Sequence, residues 1–150
     1  MAQKGEYVYE WPRPMVTVDT AVFAWLEGRV KLLLVQRGRA PYQGSWALPG
    51  GFVEIDEDLP DAAARELAEE TGLQDVALEQ LRTFGKPGRD PRGRTISVVY
   101  FGIAGPDQQQ AKAADDAAAL QWFDIGNLPP MAFDHDEIAR CAIAHLEGRC

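Results

Sequence analysis

Apolar and polar positions alternate along the chain in blocks that predict strands interrupted by two helices. Met15 to Trp25 (MVTVDTAVFAW) alternates and is rich in β-branched and aromatic residues, which predicts a strand. Glu27-Gly28 predicts a turn back into Val30 to Gln36 (VKLLLVQ), a near-continuous apolar run expected of a buried strand. RGRAPYQGSW reads as a loop leading to a glycine turn, Leu48-Pro49-Gly50-Gly51. Leu78 to Phe84 and Ala119 to Phe123 read as shorter strands, and Thr95 to Ile103 (TISVVYFGI) as a long one. A first helix is expected from Asp58, which can cap it, through Pro60 in its first turn to Gly72, which can close it. Its apolar stripe is Leu59, Ala63 and Leu67. A second helix is expected over Asp134 to Glu147, with Asp134 and Glu137 as a capping box and Ile138, Ala142, Ile143 and Leu146 as the buried stripe. Strands flanking two helices predict an α/β or α+β fold.

The first helix carries the chemistry. Glu66, Glu69 and Glu70 are related as i, i+3 and i+4, which places three carboxylates on one face. Like charges at such spacings cost about 0.2–0.5 kcal/mol per pair on an exposed helix. Residues 54 to 70 hold eight acids (Glu54, Asp56, Glu57, Asp58, Asp61, Glu66, Glu69 and Glu70) against Arg65, a charge of −7 out of a formal −8 for the whole chain. A hard divalent cation is the natural counter-charge, because Mg²⁺ takes carboxylate oxygen and keeps waters for a phosphate substrate. The alternative is a solvated acidic face. Gly50 and Gly51 allow the backbone to approach a metal or phosphate where a Cβ would collide.

Composition narrows the class. The 150 residues are expected to form one domain, 1–150, with 46% hydrophobic and 25% charged residues. No apolar run reaches the length of a membrane span and the N-terminus lacks a signal-peptide pattern, so a cytoplasmic location is expected. Cys141, read as a core position on the second helix, and the terminal Cys150 are expected as free thiols. The acidic balance argues against a broad nucleic-acid footprint.

From Gly51 to Leu73 the chain reads GFVEIDEDLPDAAARELAEETGL. Gly51, Glu57, Arg65, Glu66, Leu67, Glu69, Glu70, Gly72 and Leu73 match G-x5-E-x7-R-E-U-x-E-E-x-G-U, where U is bulky and aliphatic. The segment resembles the Nudix box, and the chain is similar to Nudix hydrolases, which cleave nucleoside diphosphates linked to another group. The resemblance implies a curved mixed β-sheet between helices. It also implies Mg²⁺ (or Mn²⁺) held by Glu66, Glu69, Glu70 and the Gly50 carbonyl, with Glu69 and Glu70 catalytic. Glu57 and Arg65 would tie the loop to the helix and orient the glutamates. Relatives are commonly dimers, so a homodimer is open.

Three further stretches bear on the substrate. Arg37 and Arg39 close the second strand, where the family presents phosphate-binding residues, and a guanidinium fork matches phosphate oxygens. Lys86, Arg89, Arg92 and Arg94 crowd a loop of an otherwise acidic chain, a local attraction for a diphosphate. Its prolines, and LPPMAFDH at 128–135, resemble the ADP-ribose pyrophosphatase branch. Phe133 or His135 is expected either to meet an adenine or to serve as a staple and a surface histidine. Trp46, Phe52 and Tyr100 are expected near the nucleotide or in the core.

The family places a general base before a late strand. Here that region reads AADDAAALQWF, with Ala118 and Ala119 where relatives often carry glutamate. Asp116 is the candidate, with Asp115 beside it and Asp90 in reserve. The expected reaction is Mg²⁺-dependent hydrolysis of ADP-ribose to AMP and ribose 5-phosphate, with Arg37, Arg92 and Arg94 on the substrate. Alternatives are another dinucleotide such as NADH, a nucleoside triphosphate, or a non-catalytic ligand sensor. The regulator form of such a sensor needs a winged helix, which is not expected here, since little sequence follows the second helix.

Overall fold

In the first strand, β1 (Met15–Leu26), successive side chains point to opposite faces, and both faces are covered. Ala21 and Phe23 share a buried cluster with Leu32, Leu34, Val99, Phe101 and the helical Ile138, Ala139 and Ala142. On the other face, Val22 and Ala24 pack with Leu33 and Leu67, and Val18 packs with Val98, Tyr100, Ala62 and Ala63. Full burial of each large side chain here, such as Phe23 or Leu33, contributes about 1.5–3 kcal/mol. The sheet is therefore held between the two helices, α1 (Leu59–Thr71) and α2 (His135–Leu146). This computed structural model describes residues 7–112 and 119–149.

The remaining strands are β2 (Arg29–Gln36), β3 (Trp46–Ala47), β4 (Gly50–Phe52), β5 (Leu78–Phe84), β6 (Thr95–Ile103) and β7 (Ala119–Asp124). They form a seven-stranded mixed sheet in the order β3-β2-β1-β6-β5, with β4 paired to β1 and β7 to β2. Among the pairings of these strands only β1–β6 is parallel, running from Met15 opposite Thr95 to Phe23 opposite Ile103. One edge of β1 serves two partners. Phe23 to Leu26 pair with β2, whereas Thr17 to Asp19 pair with β4, which sets the glycine turn beside the start of β1. β3 and β4 lie in the stretch read as loop and turn, because strands of two and three residues have no room for a hydrophobic period.

The β1–β2 turn has positive φ at both Glu27 (54°) and Gly28 (75°), the two-residue hairpin geometry that matches strand twist. Glutamate is strained in that conformation. Glu27→Asn is expected to raise stability by roughly 0.5–1 kcal/mol, read as a higher urea midpoint, since asparagine tolerates positive φ. The Lys31–Glu27 pair at 3.7 Å that it removes is long and its carboxylate stands in solvent, so it is worth little.

In α1, Asp58 accepts from the Leu59 N–H, and Gly72 at φ 76° donates back to Ala68 O. Ala62, Ala63, Leu67 and Thr71 are its buried positions. In α2, Ile138 and Ala142 are buried and Ile143, Leu146 and Cys141 pack against the same core, while Cys150 lies outside the described residues. The capping box expected at Asp134 and Glu137 does not form: Asp134 makes no side-chain cap. Its carboxylate is taken instead by Arg89, whose Nε and Nη2 donate at 2.9 and 2.6 Å. Among the described residues no helix is long and apolar enough to cross a membrane.

Candidate active site

Where β4 meets β1, a cleft opens that gathers residues far apart along the chain. The glycine turn and Asp19 lie beside Glu70 of α1, the β5–β6 loop supplies Arg89, Asp90 and Arg92, and Phe133 and His135 come from the start of α2. A Cβ on Gly50 would run into the Val18 carbonyl and the Asp19 carboxylate, and one on Gly51 would stand 2.5 Å from Glu66 Oε1. At Gly50, where backbone atoms stand in the way, glycine is a steric requirement, whereas at Gly51 a side chain would displace the Glu66 carboxylate.

The three box glutamates do not behave alike. Glu66 lies against Gly51, and burial pushes its carboxyl above the ordinary range even though Arg65 Nη1 donates to it at 2.9 Å. Glu70, on the cleft lining, is within hydrogen-bond reach of Glu66. Glu69 is turned outward, with 60% of its side chain exposed, and accepts from Arg65 Nη1 at 3.2 Å. The three carboxylates of one helix face therefore part company: Glu70 lines the cleft, Glu66 lies behind it against Gly51, and Glu69 turns outward, with Arg65 donating to both Glu66 and Glu69. Among the described residues no set of three acidic, histidine or cysteine groups closes on one point. Glu66 and Glu70, one helical turn apart, nevertheless suit a hard divalent cation: the donors are oxygens, and neighbouring carboxylates favour a proton or a cation between them. Gly50, with no side chain to shield its carbonyl, is on the same lining.

Arg65 and Glu57 lock the loop to the helix. Arg65 Nε donates to Glu57 Oε2 at 2.6 Å and Nη2 to Oε1 at 2.9 Å, while Nη2 also reaches the Phe52 carbonyl at 3.2 Å. The Arg65 bonds hold the Glu57 carboxyl down at about 2, against an ordinary value of 4.5. A folded-state value below the unfolded one stabilises above about 4.5, and that contribution is lost as pH falls through about 2. The difference in melting temperature between the parent protein and Glu57→Gln is therefore expected to be largest near neutral pH and to shrink across this window.

Each cleft arginine arrives with a partner. Arg89 is buried against Asp134, and the bonds of that pair outweigh the burial that would lower its pKa. Arg92 donates through Nε and Nη2 to the two oxygens of Asp90 at 3.0 and 2.7 Å. Burial would raise the Asp90 carboxyl, but Arg92 holds it below its ordinary range; with both oxygens engaged, Asp90 is poorly suited to accept a proton. Arg37 donates from Nε to Pro41 O at 2.7 Å, which leaves its terminal nitrogens off that bond, and burial lowers its pKa. Phe133 stands between these groups, with the Arg37 and Arg92 guanidinium carbons 5.0 and 5.2 Å from its ring centre and the Tyr42 ring edge-on at 4.9 Å. Phe52 is exposed on the lining, 5.0 Å from Arg92.

Other expected positions fall elsewhere. Arg94 is exposed, off the cleft lining, and its carbonyl accepts from Met15 N. Arg39 is exposed and likewise not on the lining. Trp46 packs on Phe123 and Tyr100 is buried, so both belong to the core. Asp115 and Asp116 lie outside the described residues. His135, expected at a ligand or on the surface, is buried, and its Nδ1 accepts from Leu48 N at 3.0 Å.

Asp19 was not singled out in the sequence, and Arg89 was read only as one base of a diphosphate-attracting loop, not as the buried partner of Asp134. Asp19 is buried, accepts from Ser97 Oγ, and has His135 Nε2 at 3.8 Å. The available signal was an acid inside the apolar alternation MVTVDTAVF, since a carboxylate in a buried strand needs polar partners.

This geometry coincides with a family match. The NUDIX domain model covers residues 16–146. The chain belongs to the NUDIX family. An ADP-ribose pyrophosphatase from Methanocaldococcus jannaschii is 42% identical over 127 residues, spanning 85% of this Nudix chain and 72% of the relative. An ADPR responsive transcriptional repressor, NtrR, from Acinetobacter baylyi is 36% identical, but the match spans 98% of this chain and only 58% of the repressor. Among solved structures, the NUDIX domain of Shewanella oneidensis NrtR, crystallised with ADP ribose, superposes with a TM-score of 0.85 at 32% identity over 94% of each chain. With a complete box and a pyrophosphatase relative at this identity, the chain is a Nudix pyrophosphohydrolase.

Proposed function

We propose that this Nudix domain hydrolyses ADP-ribose to AMP and ribose 5-phosphate with Mg²⁺, or Mn²⁺ in its place. The observation that carries the reading is the meeting, in one cleft, of the Glu70 carboxylate beside Glu66, the Arg37 guanidinium and the Phe133 ring. A dinucleotide-like substrate needs these three chemistries: a cation site at the pyrophosphate, a positive group for its oxygens, and an apolar surface for a ring. The relatives named above, one an ADP-ribose pyrophosphatase and one crystallised with ADP ribose, support the same ligand.

Glu66, Glu70 and the Gly50 carbonyl would hold the cation, joined by Glu69 when it leaves Arg65. When bound, it supplies an activated water and offsets charge on the pyrophosphate. The chain's own groups do the rest. Arg37 offsets phosphate charge through its terminal nitrogens, and Arg92, pinned by Asp90, presents its planar face beside Phe52 and Phe133 for a stacked ring. Arg94 is assigned the outer rim. The proton of the attacking water is assigned to Asp116, in the segment before β7.

The test is a substrate panel with Mg²⁺: ADP-ribose, NADH and nucleoside triphosphates, followed by AMP release and by phosphate after phosphatase coupling. AMP from ADP-ribose in preference to the others supports the reading, and cleavage of triphosphates in its place overturns the substrate. The second reading, a sensor that binds and does not cut, draws on the similarity to the A. baylyi repressor. It predicts calorimetric binding of ADP-ribose with no AMP released.

A further inference from the structure

The turn from Leu48 to Gly51 is held from outside itself. Pro49 O accepts from both Thr20 N, at 2.8 Å, and Thr20 Oγ1, at 3.1 Å, so β1 fixes one side of the turn. The other side is fixed by His135, whose Nδ1 takes the Leu48 N–H at 3.0 Å. Leu48 is buried and falls between β3 and β4, and the next residue, Pro49, has no N–H to offer. His135 thus supplies the acceptor for the last backbone donor before the two glycines. Because a backbone N–H donates to Nδ1, that nitrogen carries no proton, and the proton of the neutral ring sits on Nε2, which faces Asp19 at 3.8 Å. Burial favours this uncharged form over the pull of Asp19 and Asp134, and Arg89 and Arg37 favour it as well.

From its place two residues after Phe133, with the two rings 5.4 Å apart, His135 joins the aromatic wall of the cleft to the glycine turn. The turn in turn meets Glu66 at Gly51. We propose that His135 is a positioning residue: its neutral Nδ1 sets the Leu48 peptide, and through it the backbone of Gly50 and Gly51 beside the Glu66–Glu70 carboxylates. This rests on the reading of the cleft as a cation-dependent hydrolase site.

Two near-isosteric variants separate this role from plain packing. In His135→Asn the amide oxygen stands near the position of Nδ1 and can take the Leu48 N–H. In His135→Gln the amide lies nearer the position of Nε2 and leaves that N–H without its acceptor. Partners that orient a metal site typically cost about 10–100-fold in cation affinity or activity when removed. The Gln variant is therefore expected to bind Mn²⁺ at least tenfold more weakly by calorimetry and to lose kcat on ADP-ribose by a similar factor, with KM little changed. The Asn variant is expected to keep most of both. Equal behaviour of the two variants in Mn²⁺ affinity and kcat, whatever their melting temperatures, overturns the proposal. A parent protein that cleaves nothing in the panel sinks the hydrolase reading alone, and the Mn²⁺ comparison then still decides the role of His135.

Discussion

Glu70→Gln is expected to lower kcat on ADP-ribose by on the order of 10²–10⁴-fold, the range for removing a major electrostatic or acid–base group. The substitution keeps the shape of the side chain and deletes one charge from the carboxylate pair it makes with Glu66. Without a cation, like charges at i, i+3 and i+4 on this helix repel one another. The melting temperature in chelator is therefore expected to stay level or rise, while protection by Mg²⁺ falls. Steady-state kinetics and paired melts with and without Mg²⁺ check both. Near-normal turnover would take Glu70 out of the mechanism.

The largest stability effect is expected at Arg89, a residue that touches the cleft but is spent on architecture. Arg89→Met leaves the Asp134 carboxylate, whose side chain is 18% exposed, without the two bonds that hold it. Breaking a buried ion pair from one side costs about 3–5 kcal/mol, because the remaining charge stays desolvated. Replacing both partners, Arg89→Met with Asp134→Leu, is expected to recover most of the loss. Equilibrium urea unfolding of the two single variants and the double variant gives the pairwise energy. Single variants within 1 kcal/mol of the parent would mean that the pair is solvated in solution.

The readable and the hidden parts of this protein differ in the range of the interactions that make them. The box helix was legible because its caps, its stripe and its glutamates follow from spacing along one helix: Asp58, Gly72 and Leu67 all act as expected. The Arg65–Glu57 lock was legible through the family pattern. Glu69 shows where spacing stops being enough, for an i, i+3 relation places a carboxylate on a face but does not choose between a cleft and a neighbouring arginine. Asp134 reads as a cap in isolation, and only the arrival of Arg89 from 45 residues away takes its carboxylate elsewhere. The division of labour among Arg89, Arg92 and Arg94 was illegible for the same reason. All three sit in one basic loop, and only the fold decides which is buried, which faces the cleft and which stands in solvent. Asp19 escaped notice because its partner Ser97 lies 78 residues away on a strand whose register no local pattern reveals.

Those separations also set an order of assembly. Helix α1 can form on its own stretch of chain, since its bonds join residues four apart and helix–coil relaxation takes about a microsecond or less. The Leu48–His135 bond, in contrast, spans 87 residues, and contacts at such range must await the closing of large loops. A chain emerging from the ribosome therefore displays its acidic helix well before the segment at 133–135 is synthesised. Until that segment docks, the box glutamates have no aromatic wall opposite them. The cleft is closed only once helix α2 is in place.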